Sequence, residues 1–257
     1  MSALRGKVLV QQSDGERVKM AAEPKTEIWN QTGSGVLTET PLLLTACREG
    51  KFGTAFSYPG GYVYQALFTY LSGKPDEAFL LAHPELFYDS WLVCMNPEWE
   101  SYLRRLPMQA VFRREVMAPL CAESAKQLKP LPEGYTLTPF TSAVFETHPF
   151  GHGVNYADFG EFSERGAGAA VLYDGQVVAA ASSFLTYANQ VELDLFTDPG
   201  HRKRGLADHC TAEMMRQCNR KCLTIHWDAQ NRMSAELAKG HGFQPLTEYA
   251  VYCLQKN

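Results

Sequence analysis

Two acidic residues and a short basic run hold the chemistry open to this chain. Glu192 and Asp194 stand two apart in the stretch Gln190 to Thr197, alternating with Val191, Leu193 and Leu195. That period is a half-buried strand with both carboxylates on one face. A carboxylate held there can take a proton from a reacting group; the solvated face of an ordinary strand gives the same pattern. The strand breaks at Asp198-Pro199-Gly200, and His201, Arg202, Lys203 and Arg204 lead into a helix that opens at Gly205. The first N–H groups of a helix lack partners, and its dipole adds partial positive charge there. A helix entered through basic residues is therefore a cradle for a phosphate or pyrophosphate. Gly205 and the small Ala207 let a ligand approach the backbone closely. Without those two residues, a charge run of this kind is a solvated loop.

Two other phosphate loops are excluded. Gly200 and Gly205 have the G-x-x-x-x-G spacing of a P-loop, but Leu206 and Ala207 stand where Lys and Ser/Thr must follow. Gly166-Ala167-Gly168 starts a dinucleotide fingerprint, but Val171 replaces the third glycine and the segment precedes a strand. His148 and His152 are four apart, but Pro149, Gly151 and Gly153 argue against a helix that would align them as metal ligands. Cys218 and Cys222 are one helical turn apart with no second ligand pair, so no metal is expected.

The remaining pattern, Arg202-x-x-Gly205-x-Ala207 after a strand ending Leu195-Phe-Thr-Asp-Pro199, resembles the acetyl-CoA loop of the GNAT acyltransferases. Leu223 to Trp227, then Asp228 to Asn231, a helix and Gly240-His-Gly-Phe243 are similar to that family's closing segment. The phrase Trp227-Asp-Ala-x-Asn231-x-x-Ser234 is similar to a narrower branch, the zwittermicin A resistance-type acetyltransferases. The resemblance implies that Arg202, Lys203, Arg204, Gly205, Leu206 and Ala207 hold the pyrophosphate. It implies that backbone N–H groups of Leu195, Phe196 and Thr197, where the fourth strand bulges and splays from the fifth, polarise the thioester. It implies a carboxylate base on that strand, Glu192, with Asp194 the runner-up. Asn231 would bond the pantetheine arm; it is equally suited to cap the next helix. Ala238 stands where the family often has a Tyr that protonates the leaving thiolate, so Tyr249, Tyr252 or water would substitute. His148 and His152 would line the acceptor pocket.

The elements that must position these residues follow from pattern. Ala169 to Tyr173 and Gln176 to Phe184 read as strands joined at Asp174-Gly175, a hairpin signal. Leu206, Cys210, Met214 and Cys218 form a stripe on a helix from Gly205 to about Arg220. Leu223 to Trp227 is a buried strand, Ser234 to Lys239 a helix and Glu248 to Leu254 a last strand. Before the Pro- and Gly-rich stretch 129–134, Val63, Ala66, Leu67, Tyr70 and Leu71 recur at helix spacing. Asn96 and Pro97 start a short helix, and Gln109 to Met117 is a strand. Residues up to about 35 are polar and aperiodic. The expected fold is α+β, a GNAT-like mixed central sheet flanked by helices, preceded by a smaller helix-rich α/β region. The expected division is 1–130, an accessory region on the acceptor side, and 131–257, the acyl-CoA-binding domain.

Composition excludes some classes. Of 257 residues, 45% are hydrophobic and 20% charged, enough to bury a core, and the net charge of −4 speaks against nucleic acid as a partner. No apolar run is long enough to span a bilayer. Seven scattered cysteines read as buried thiols in a reducing cytoplasm. The expected function is acetyl transfer from acetyl-CoA to the primary amine of a small molecule, by direct transfer in a ternary complex, with a homodimer left open. The alternative is a CoA-binding regulatory module without transferase activity.

Overall fold

The computed structural model describes residues 34–88, 90–147 and 155–255. His148, His152 and most of the polar N-terminal stretch lie outside them. The chain forms two compact units, one of residues 34–115 with 247–255, the other of residues 116–246. The stretch 129–134 lies inside the second, and the last strand belongs to the first.

The first unit carries α1 (Leu42–Arg48), β1 (Thr54–Tyr58), β2 (Gly61–Gln65), β3 (Thr69–Gly73), α2 (Glu77–Ala82), α3 (Glu85–Tyr88), β4 (Leu92–Cys94), α4 (Pro97–Leu103) and β5 (Met108–Met117). The second carries β6 (Tyr135–Pro139), α5 (Ser142–Thr147), α6 (Phe159–Arg165), β7 (Gly168–Tyr173), β8 (Gln176–Tyr187), β9 (Gln190–Thr197), α7 (Leu206–Arg220), β10 (Thr224–His226), β11 (Asp228–Ala229) and α8 (Arg232–Gly240). The closing strand β12 (Pro245–Leu254) returns to the first unit.

That unit is built on a sheet ordered β1-β2-β3-β4-β12-β5. The helix expected over Val63 to Leu71 is instead two antiparallel strands, with Val63 opposite Leu71 and Tyr64 opposite Tyr70. Apolar spacing alone cannot separate these outcomes in so short a stretch; the aromatic and β-branched residues and the flanking glycines decide it. At Gly61 a Cβ would fall 2.1 Å from the Ser72 carbonyl oxygen, so the hairpin closes backbone on backbone. Leu67, inside the supposed apolar stripe, is 45% exposed at the turn. As expected, Asn96 caps α4, its Oδ1 accepting from the Trp99 N–H at 3.1 Å, and buried Trp99 anchors that helix in the core with Leu71, Phe87, Leu92 and Tyr252.

In the second unit the sheet order is β10-β9-β8-β7-β6, an antiparallel meander with β10 added in parallel at the edge. The β7–β8 turn falls at Asp174 and Gly175, both at positive φ (47° and 74°), the geometry a two-residue hairpin requires. Leu206, Cys210, Met214 and Cys218 all face inward from α7 onto Val171, Ala179, Ala181, Val191 and Ile225. Small alanines on β7 and β8 leave room for this 15-residue helix. The opposite face is covered by Phe140, Val144, Tyr156 and Phe162, which pack on Ala170 and Ala180.

Candidate active site

A fork in the second sheet organises the site. β10 pairs with β9 at Thr224–Gln190, Ile225–Val191 and His226–Glu192, and then leaves it. The Trp227 carbonyl, the next along, accepts instead from the Met117 N–H at 2.9 Å. β9 continues against β8 as far as Thr197 opposite Ala179. The Asp198 N–H bonds the Val178 carbonyl, 2.8 Å away on the β8 side. Alternation along the strand therefore turns the N–H groups of Leu195 and Thr197 toward the fork and that of Phe196 toward β8. Of the three N–H groups named from the sequence, two face the opening. The Leu195 N–H meets the carboxylate of its neighbour Asp194 at 2.8 Å.

The two strands part after Glu192, so Leu195 to Thr197 lie past the parting, and the bulge expected there is not on β9. The register slips between Ser183 and Leu185 of β8, which makes Phe184 the extra residue, opposite the Leu193–Glu192 step. Asn155 and Tyr156 hold it. The Asn155 Nδ2 donates to the Phe184 carbonyl at 2.6 Å, and the Tyr156 hydroxyl bonds the Ser183 hydroxyl at 3.0 Å and the Thr186 hydroxyl at 2.7 Å. The slip brings Leu185 into register with Glu192.

Glu192 is 6% exposed, whereas Asp194 is half-buried. A solvated strand face would expose both, so the sequence alternation is not a water-facing stripe at Glu192. A carboxylate held out of water in a sheet is costly unless it is used or paired. Its register partner His226 is bonded through Nε2 to the Gln190 Oε1 at 2.6 Å. Burial pulls the His226 pKa down to about 4, so the ring is neutral at physiological pH. The fork therefore opens beside one acidic side chain and one neutral imidazole.

At the far end of β9, Pro199–His201 forms a 3-10 turn whose Asp198 carboxylate accepts the Gly200 N–H at 2.8 Å. The chain then passes through Lys203 (φ 62°) and Gly205 (φ 75°) into α7. Arg202, Lys203, Arg204 and Gly205 are all exposed, and no side chain caps the helix. A Cβ at Gly205 would meet no heavy atom within 4 Å. A helix start without a side-chain cap, preceded by three exposed cations, is what an anionic diphosphate needs. The residues are not equivalent. The Arg202 Nε donates to the Thr197 carbonyl at 3.2 Å and so also ties the loop to β9. Leu206 is buried in the core and offers the ligand only its backbone. Arg204 lies over the Tyr135 ring at 6.0 Å, and the Tyr135 hydroxyl bonds His201 Nδ1 at 2.8 Å. Tyr135 on β6 thus fixes the loop from 66 residues away, a contact with no local signature in sequence.

Asn231 is the N-cap of α8, its Oδ1 accepting the Ser234 N–H at 3.0 Å. The cap reading is therefore realised, and Nδ2 is what remains for a ligand. Ala238 lies on the buried face of α8 and is fully buried. Tyr252, one of the substitutes for the absent tyrosine, lies in the first unit and donates to Glu100 Oε1 at 2.9 Å; burial pushes its pKa far up. Cys218 faces the core with its thiol raised to about 12 by burial, whereas Cys222 is exposed. The pair does not share a face, and among the described residues no group of three metal-ligating side chains occurs. No helix among the described residues is long and apolar enough to cross a membrane.

These features match known proteins. A GCN5-related N-acetyltransferase-like protein from Streptococcus suis 89/1591 shares the fold with a TM-score of 0.67 at 23% identity, over 83% of this chain and 92% of that one. A GCN5-related N-acetyltransferase from Kribbella flavida does so at 0.54 and 15% identity, over 85% and 97%. At these identities both bear on the fold alone. The uncharacterized N-acetyltransferase YdfB of Bacillus subtilis (strain 168) is 30% identical over 178 residues, which are 64% of this chain and 62% of that relative's length. The family described as GNAT acetyltransferase matches residues 40–252, well beyond the last half of the chain that carries the sequence motifs. With that match spanning most of its length, the chain belongs to the GNAT acetyltransferase family.

Proposed function

We propose that the chain is an acetyl-CoA-dependent N-acetyltransferase that moves the acetyl group to a primary amine of a small molecule, by direct transfer in a ternary complex. One observation carries the reading. The nearly buried Glu192 stands at the mouth of the β9–β10 fork, and β9 runs from there to the uncapped, cation-lined start of α7. Acetyl-CoA supplies the activated acetyl group. Arg202, Lys203, Arg204 and the N–H groups of Gly205, Leu206 and Ala207 hold its pyrophosphate, and the Asn231 Nδ2 bonds the pantetheine arm.

The N–H groups of Leu195 and Thr197 face the fork and stabilise charge that develops on the thioester oxygen. For Leu195 this requires the Asp194 carboxylate to give up its bond. As the amine nitrogen bonds the acetyl carbon and the carbon–sulfur bond breaks, Glu192 takes the amine proton. With Ala238 on α8, Tyr252 bonded to Glu100 and Tyr249 buried in the first unit, water protonates the leaving thiolate. The similarity of Trp227 to Ser234 to the zwittermicin A resistance-type branch favours an antibiotic-like amine or amino acid derivative as acceptor. The free state of all seven cysteines agrees with a reducing cytoplasm.

Glu192→Gln tests the base. Turnover at neutral pH should fall by roughly 100- to 1,000-fold, while acetyl-CoA affinity stays within about threefold. Turnover unchanged at neutral and high pH alike rejects the role. Ala238, in place of a thiolate acid, favours a second reading, a CoA-binding regulatory module. Acetyl-CoA that binds but is consumed with no member of an amine panel would support that reading.

A further inference from the structure

A cluster of four polar side chains ties the first turn of α7 to the segment that follows β5. This segment, residues 118–131, has no helix or long strand of its own. It is anchored at one point on β10, where Leu120 and Ile225 exchange backbone bonds of 3.0 and 2.8 Å. Farther along, Lys126 reaches Asp208 in the first turn of α7, Nζ to Oδ1 at 2.5 Å. The same Oδ1 lies 3.1 Å from His241 Nε2 at the end of α8. His241 Nδ1 lies 2.6 Å from the Ser124 hydroxyl, which also accepts the Lys126 N–H at 3.1 Å. His241 is completely buried, and the side chains of Asp208 and Lys126 are 20% and 35% exposed.

Ser, His and Asp form nucleophilic triads elsewhere. Here the Asp208 oxygen is neutralised by Lys126, and the serine oxygen already accepts a backbone N–H. The cluster holds elements together and offers no nucleophile.

Its position has an electrostatic consequence. Asp208 is the third residue of α7, one turn from Gly205. A carboxylate there stabilises a free helix, but it opposes any anion at the same N-terminus. Burial would raise the Asp208 pKa, but the bonds from His241 and Lys126 outweigh it and hold the carboxyl below its usual pKa, so it stays ionised. The partners found for Asp208 are Lys126 and His241, whereas Arg202 bonds the Thr197 carbonyl and Arg204 lies over the Tyr135 ring.

We propose that Lys126 is a positioning residue for the acyl-CoA diphosphate: it cancels the Asp208 charge and fixes the first turn of α7, so that the cradle keeps its attraction for anions. This rests on the reading of the α7 start as the diphosphate site. Lys126 acts through Asp208, and its role is set by charge rather than by shape.

The test is acetyl-CoA binding by calorimetry on wild type, Lys126→Met, Lys126→Arg, Asp208→Asn and the double variant Lys126→Met/Asp208→Asn, at low and high salt, with thermal melts to confirm folding. Lys126→Met leaves Asp208 unopposed beside the anion and should weaken binding about tenfold at low salt. The deficit should shrink at high salt. Lys126→Arg should bind like wild type. Asp208→Asn should bind at least as tightly as wild type, and the double variant should recover most of the loss. A Lys126→Met that binds like wild type, or a double variant weaker than the single, overturns the charge role. Wild type that binds neither acetyl-CoA nor CoA removes the diphosphate site itself, and this inference with it.

Discussion

Two helices of the second unit begin in opposite ways. α8 starts at Asn231, whose side chain accepts the Ser234 N–H at 3.0 Å and whose carbonyl accepts the Ala235 N–H at 3.0 Å. The Ser234 hydroxyl in turn accepts from the Trp227 indole at 3.1 Å, which joins the cap to the strand before it. α7 starts at Gly205, in the left-handed region at φ 75° and ψ 9°, with no side-chain cap and four exposed residues before it. A good cap contributes about 1 kcal/mol against alanine but only a few tenths against glycine, so the uncapped start at Gly205 carries a small cost that packing offsets. Leu206, Cys210, Met214 and Cys218, all within 2% of complete burial, supply that packing. On the proposed reading, the difference separates a helix end built for stability from one kept open for a ligand.

Two variants break or sharpen this comparison. Neutralising the open end as Arg202→Gln/Lys203→Gln/Arg204→Gln should have the largest effect, with acetyl-CoA affinity falling about 100-fold at low salt and less at high salt. A change under about threefold would make the loop a solvated turn. Part of the loss comes through Arg202, because its bond to the Thr197 carbonyl also ends β9. The capped end should behave in reverse. Asn231→Ala should lower stability by about 1 kcal/mol in urea unfolding, and acetyl-CoA affinity by no more than about fivefold, the value of one hydrogen bond from Nδ2. A large affinity loss with unchanged stability would invert the assignment of the two ends.

The sequence made local features legible and long-range ones not. Asp174-Gly175, the α7 stripe and the Asn231 cap each depend on a few neighbouring residues, and each appears where the pattern put it. Glu192 was legible as a strand carboxylate, but not as a buried one, because alternation fixes the face and not what covers it. The Phe184 slip in β8 leaves no trace in composition, and it depends on Asn155 and Tyr156, 29 and 27 residues from their partners. Tyr135 under the loop and Lys126 under Asp208 act across 66 and 82 residues. Val63 to Leu71 failed for another reason. Its apolar residues fit two periods, and spacing alone does not choose between them.

The central claim is that the start of α7 is open because it holds the diphosphate of acetyl-CoA, and acetyl-CoA calorimetry on wild type and Gly205→Glu tests it most directly. The Gly205 Cβ direction is clear of heavy atoms for 4 Å, so the new side chain meets open space and not the core, although the left-handed backbone there strains any side chain, which the melt checks. Wild type should bind in the micromolar range, and the variant should lose at least about 100-fold while still melting cooperatively. Equal binding by both, or no binding of acetyl-CoA by wild type, would contradict it.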